Sequence, residues 1–224
     1  MKTEMEAALV TRWLGRISFR EALELQEETV SRKRGDSRIS DELLLLEHEP
    51  VYTIGRTPDQ SSLRDAKHLP FPLFEINRGG QATYHGPGQL VGYFLLDLRR
   101  YGQDLHRYLR WIEVVLIELL AQCDLSATTR DGLTGIWVDN PEMIGASRKI
   151  ASIGVGVRHW ITMHGFALNV SGDLTPFDHI TPCGIAGVTM TSIEKETGVA
   201  LSVEEVGKRM AAVAEERIEQ LERF

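Results

Sequence analysis

The sequence predicts an α+β fold: a mixed or antiparallel sheet flanked by helices, with 1–224 forming a single catalytic-sized domain. Three observations predict it. Short β-rich apolar runs recur between turn residues. One long helical pattern sits mid-chain, and helical patterns lie towards both ends. No repeat, low-complexity stretch or long linker divides the 224 residues, which suffice for one substantial core.

The elements follow in order. Ser18 and Glu21 form a capping box that opens a helix to about Lys33. Residues 42–48 and 51–54 read as strands broken at Pro50, and 73–78 and 89–96 as two more. The run 104–123 places Leu105, Tyr108, Leu109, Ile112, Val115, Leu116 and Leu119 on one face of a long helix. That period puts Cys123 on the packed face, as a small buried hydrophobe. Short strands at 126–129 and 135–138 precede two longer ones, 149–158 and 162–170, close enough to form a hairpin. Residues 171–190 read as irregular. Ser202 and Glu205 form a second capping box before a closing helix.

Composition excludes several classes. The net charge of −7 gives no support to nucleic-acid binding. No run of eighteen apolar residues occurs, so no membrane span is expected. The first fifteen residues carry Glu4 and Glu6 and read as neither secretory signal nor transit peptide. With only Cys123 and Cys183, a disulfide framework is not expected, and the chain reads as cytoplasmic. There is no Gly-x-x-x-x-Gly-Lys-Ser/Thr loop, no Gly-x-Ser-x-Gly elbow and no metal motif, so no metal is expected. Gly154-Val155-Gly156 lacks the third glycine of a dinucleotide fingerprint.

Candidate chemistry concentrates in four segments. Thr181-Pro182-Cys183-Gly184 holds a cysteine in a bend, with proline fixing one side and glycine freeing the other. Residues 78–89 crowd Arg78, Gln81, Thr83, Tyr84 and His85 among four glycines, which reads as a binding loop between strands. Lys149 opens an apolar strand, either snorkelling to water or partly buried as a base. His164-Gly165-Phe166-Ala167 reads as one wall of an apolar slot, or as plain core strand. A cysteine nucleophile needs a proton acceptor, and spacing leaves Lys149, His85, His164 and His179 all open.

The runs RGGQATYHGPGQLVGY at 78–93, KIASIGV at 149–155, HGFALNV at 164–170 and PCGI at 182–185 together resemble the lipoyl(octanoyl) transferases, the octanoyltransferases of lipoate biosynthesis. HEPVYTIGR at 48–56 and MTSIEKETG at 190–198 are also similar to family segments, and the likeness covers roughly 12–198. It implies a fold related to the biotin and lipoate protein ligase catalytic domains. It implies transfer of an octanoyl (or lipoyl) group from acyl carrier protein to a specific lysine of lipoyl domains. Those acceptors belong to 2-oxoacid dehydrogenases and the glycine cleavage H protein. The family's nucleophile falls on Cys183 and its lysine partner on Lys149. Its acyl contacts fall on Arg78, Gly79, Gly80, Gln81, Ala82, Thr83, Tyr84 and His85, on Ser152, Ile153 and Gly154, and on Gly165, Phe166 and Ala167. No cofactor is expected, because the acyl group arrives activated. Backbone N–H groups at the Cys183-Gly184 bend are the expected oxyanion hole, and Gly80 or Gly165 is expected to shape the acyl slot. Two other readings compete: an ATP-dependent lipoate or biotin ligase on the same fold, and a non-catalytic acyl-binding module.

Overall fold

Two sheets carry the fold where the sequence pattern predicts one. The computed structural model describes residues 9–56, 59–139, 147–184 and 187–222. The first half of the chain contains β1 (Val10–Ile17), α1 (Phe19–Gly35), β2 (Glu42–His48), β3 (Val51–Gly55), β4 (Leu73–Ile76), β5 (Thr83–His85) and β6 (Gln89–Leu95). The second half adds α2 (Leu105–Ala121), β7 (Thr128–Arg130), β8 (Leu133–Asp139), β9 (Ser147–Arg158), β10 (Ile161–Asn169), β11 (Thr189–Met190), α3 (Ile193–Thr197) and α4 (Val203–Arg217).

The main sheet runs β1-β2-β6-β10-β9-β8-β7, with β11 pairing the start of β9. Its β1–β2 and β11–β9 pairs are parallel, and the others antiparallel. A small sheet, β4-β3-β5, stands beside it. The main sheet is covered on both faces, and β2 shows why its sequence is a run of leucines. Leu43 and Leu45 join the core under α2 and α4, whereas Leu44 and Leu46 join Ala22 of α1 on the other face. A strand buried on both sides has no need to alternate.

Both capping boxes form as the sequence predicts, at Ser18–Glu21 and Ser202–Glu205. In α2, Asp104 is the N-cap, accepting from the Arg107 N–H. The β9–β10 hairpin turns through His159 and Trp160, both at positive φ (54° and 65°), the combination that matches the twist of a tight hairpin.

Three strands escape the sequence pattern. β1 is a half-exposed edge strand interrupted by Gly15, and its Arg12 and Arg16 pair with Glu42 and Glu47 across the β1–β2 seam. Its polar side chains hide the alternation. β5 and β11, three and two residues long, are too short to show a period. Residues 171–190 are otherwise irregular as predicted, with short 3₁₀ turns at Thr175–His179 and Pro182–Gly184.

Candidate functional site

The segment after β4 folds back over β9 because glycines let backbone meet backbone. The N–H of Gly79 donates to Val155 O at 3.0 Å. A Cβ on Gly156 would lie 2.6 Å from Asn77 O, and one on Gly55 2.3 Å from Gly80 O. Gly80 itself sits at φ +90°, open only to glycine without strain. Between this crossing loop, the small sheet and the middle of β9 and β10 lies a cavity enclosing about 470 Å³ of empty space, part of it solvent at the mouth.

The cavity gathers residues from separate parts of the chain. The loop and β5 contribute Arg78, Gly80, Gln81, Thr83 and His85. β9 contributes Ser152, Ile153 and Gly154, and β10 contributes Gly165, Phe166 and Ala167. Gly79 faces a neighbouring groove instead, beside Leu105, Leu109 and Thr134. Ala82 and Tyr84 point to the opposite side, into a cluster with Tyr52, Ile54 and Phe177. The two-residue period of β5 sends 83 and 85 to the cavity and 82 and 84 away from it. Phe19, Ile76, Tyr93 and His164 complete the lining. Neither Phe19 nor Ile76 is marked as a site residue by the sequence; α1 brings Phe19 here, and the end of β4 in the small sheet brings Ile76.

A buried polar network backs the cavity. Arg78 donates through Nη2 to Thr53 O (3.1 Å) and Thr53 Oγ1 (2.9 Å), and through Nη1 to Gly79 O (2.9 Å). Thr53 Oγ1 then donates to His85 Nε2 at 3.3 Å, and His85 Nδ1–H donates to Gln89 Oε1 at 2.8 Å. This tautomer follows from Gln89, whose amide nitrogen is engaged with Tyr84 O and Asn169 Oδ1. His48 donates from Nδ1 to Ile17 O and accepts the Tyr93 hydroxyl at Nε2, 2.7 Å away. Thr83 Oγ1 is buried, lines the cavity and has no hydrogen-bond partner among the described residues.

Burial holds the three histidines here neutral. It lowers His85 to about 3, with His48 adding repulsion, and His164 to about 3, with Arg78 and Arg158 adding theirs; burial takes His48 to about 4. Their ordinary value is 6.5. Between pH 6.5 and about 4 the unfolded chain therefore binds more protons than the native one. Stability is complete above pH 6.5 and falls as pH drops through that window, by at most about 1.4 kcal/mol per ring per pH unit. Thermal unfolding at pH 7, 6 and 5 should show the midpoint falling, by about 2–4 °C for each kcal/mol lost. Carboxylates titrate lower, so a flat profile from pH 7 to 5 would show that these rings are charged in the native protein.

Lys149 is fully buried and does not snorkel. Its Nζ donates to Thr134 O at 2.9 Å and sits 5.2 Å from the centre of the Trp137 ring. Gly135 makes this possible. It lies at φ +126°, and a Cβ there would stand 2.6 Å from Lys149 Cε and 3.0 Å from Nζ. β11 brings the chain from the cysteine turn to this point: Met190 pairs with Lys149, and Thr191 N–H donates to Lys149 O. Asn169 Nδ2 donates to Thr191 O, which ties the polar network behind the cavity to the same place.

The turn around Cys183 is a single 3₁₀ turn, Pro182–Gly184. The Cys183 side chain and residues 185–186 lie outside the described structure. The Gly184 N–H is spent within the turn, donating to Thr181 O at 2.9 Å. The expected oxyanion hole at this bend therefore cannot use Gly184 in this conformation. The Gln81 side chain packs on Gly184, where a Cβ would stand 2.9 Å from Gln81 Cγ, and Gln81 also lines the cavity. His179 ends the preceding turn and is exposed.

Gly165 lines the cavity, but the room its missing Cβ leaves is not open to the slot. It is filled by Gly92 O of β6, 2.2 Å from where a Cβ would be. Gly165→Val should therefore break the β6–β10 pairing. The octanoyl transfer that the resemblance implies, and transfer of a butanoyl group, should then fall together, with a lower melting temperature. A selective loss of the octanoyl rate would show that a side chain at 165 enters the slot.

The fold defines the class. It is that of the lipoate and biotin protein ligase catalytic domains. A bipartite lipoate protein ligase of Thermoplasma acidophilum superposes with TM-score 0.68 at 17% identity, over 94% of this chain and 84% of that one. The biotin protein ligase of Aquifex aeolicus, solved with biotin and ATP, gives 0.55 at 12% identity over 96% and 72%. Residues 18–215 match the lipoyl protein ligase A/B catalytic domain model, and an octanoyltransferase of Geotalea uraniireducens is 50% identical over 199 residues, 89% of this chain and 88% of the relative. The chain belongs to that family, within its octanoyltransferases. Among the described residues no helix is long and apolar enough to cross a membrane, and no three His, Cys, Asp or Glu side chains are grouped to hold a metal ion.

Proposed function

We propose that the protein moves an octanoyl (or lipoyl) group from acyl carrier protein to a lysine of lipoyl domains, through a thioester on Cys183. The acceptors in this reading are the lipoyl domains of 2-oxoacid dehydrogenases and the glycine cleavage H protein. The observation that supports it best is convergence. Arg78, Gly80, Gln81, Thr83 and His85 meet residues 152–154 and 165–167 at one cavity, and Gln81 joins that cavity to the residue after Cys183.

The chemistry runs in two balanced steps. The Cys183 thiolate attacks the donor's thioester carbonyl, and the carrier's thiol leaves with a proton. Exchange of one thioester for another is nearly even, so the acyl-enzyme accumulates. The acceptor amine then attacks the acyl-enzyme and loses a proton, Cys183 leaves as thiol, and amide formation drives the step. Lys149 is the proton carrier in both steps. Phe19, Ile76, Ile153 and Phe166 give the alkyl chain its apolar wall. Burying about six methylenes at about 0.8 kcal/mol each offers about 5 kcal/mol before ordering costs. Thr83 Oγ1 is the polar group with spare capacity to meet a substrate oxygen.

The test is incubation with octanoyl-carrier protein and a lipoyl domain, without ATP, followed by intact-mass measurement. One octanoyl group should appear on the enzyme and then on the domain. An absolute requirement for free octanoate and ATP would make this a ligase. Tight binding with neither protein acylated would make it a binding module.

A further inference from the structure

Ser62 lies in a stretch with no counterpart among the sequence motifs, yet it is a fully buried hydroxyl. It touches both halves of the site. Its Oγ accepts the Ala82 N–H at 3.1 Å and donates to Gln81 Oε1 at 2.9 Å. Its carbonyl accepts the Thr181 N–H at 2.7 Å. Two residues on, Arg64 donates from Nε to Thr181 Oγ1 (3.2 Å) and from Nη1 to Asp178 O (3.0 Å). One short segment therefore holds the cavity loop with Ser62 and the approach to the cysteine turn with Ser62 and Arg64. Gln81, fixed by Ser62, is the side chain that packs on Gly184.

We propose that Ser62 is a positioning residue for acyl transfer, setting the spacing between the acyl cavity and the turn that carries Cys183. The proposal rests on Cys183 as the acyl acceptor. Attack requires the carbonyl carbon about 3–3.5 Å from the sulfur while the chain lies in the cavity, and a misplacement of about 1 Å costs on the order of 100-fold. Ser62→Ala keeps the backbone bond to Thr181 and removes the hydroxyl that Gln81 and Ala82 share, leaving Gln81 its Asp59 contact alone, so the two halves lose their common side-chain anchor.

The experiment is single-turnover acylation by octanoyl-carrier protein, read by quenched intact mass, alongside iodoacetamide alkylation of Cys183 and thermal unfolding. In folded Ser62→Ala the acylation rate at saturating donor should fall about 100-fold, while half-saturation and the alkylation rate stay within about threefold. Alkylation needs no chain in the cavity, so a merely structural role would not separate the two rates. A saturated acylation rate within about threefold of wild type overturns the proposal, as does a change confined to half-saturation. Arg64→Met, at an exposed position, loosens the same anchor from the turn side and should slow acylation about tenfold. If Ser62→Ala does not fold, an unchanged rate in Arg64→Met overturns the proposal. A wild-type enzyme that is never acylated at Cys183 overturns the mechanism beneath it, whereas an acylated wild type with unaffected variants overturns the positioning role alone.

Discussion

Cys183→Ala should abolish acyl transfer and leave the fold unchanged. The residue lies in a one-turn element on an irregular stretch, and the turn is held by backbone and by Thr181, Ser62 and Arg64. Stability should stay within about 0.5 kcal/mol of wild type. Removing a nucleophile from a covalent mechanism costs on the order of 10⁴-fold or more. Intact mass should show no acyl adduct, and Cys183→Ser should be nearly as inactive, because a hydroxyl is far less ionised than a thiol. Cys123 is the internal control. It is 6% exposed just beyond α2, burial raises its thiol pKa, and Arg209 approaches its sulfur at 3.5 Å. Alkylation of the native protein should therefore label Cys183 first. Near-normal turnover in Cys183→Ala would end the covalent mechanism, and preferential labelling of Cys123 would contradict its burial.

Much of the fold is legible because its signals are local. Ser18 and Glu21 announce α1 within four residues, and the 3.6-residue period of α2 is carried from Tyr108 onward by side chains that reach the core or pack against it, only Leu105 of the predicted face being exposed. β1 is not legible, since its edge position leaves Arg12 and Arg16 outward and its pairing partner lies beyond a 17-residue helix. The site divides in the same way. The glycine-rich loop marks itself, but the roles of its residues depend on which face of β5 they occupy, and that face is set by pairing with β3. Ala82 and Tyr84 therefore sit in a different cluster from Thr83 and His85. Ser62 carries no pattern at all: its importance lies in contacts with residues 19, 20 and 119 positions away. Gly165 shows the reverse case. A glycine in an apolar strand signals a close approach, but the sequence does not say whether ligand or backbone makes it.

Lys149→Met should separate function from stability. An ammonium buried completely is costly, and this one is held by Thr134 O and the face of Trp137 in a space that exists because Gly135 has no side chain. A well-packed apolar side chain of similar length removes the cost of burying the charge. Methionine is flexible enough to follow the same path past Gly135. The melting temperature should therefore hold or rise, even though Thr134 O loses its donor. Acyl transfer should instead fall by about 10²–10⁴-fold, the usual contribution of a positioned proton carrier. In the proposed mechanism Lys149 stands beside the Cys183 thiol, so alkylation of Cys183 should also move to higher pH when that cation is removed. The measurements are the steady-state rate with octanoyl-carrier protein, the pH dependence of iodoacetamide labelling and thermal unfolding. A variant that keeps its rate and its labelling profile but melts earlier would make Lys149 a strut for the 133–135 segment. The neutral histidines His85 and His164 would not replace it as carriers of a cation at pH 7, since burial keeps both near 3. Exposed His179 would then be the remaining base to test, through His179→Gln and the same labelling profile.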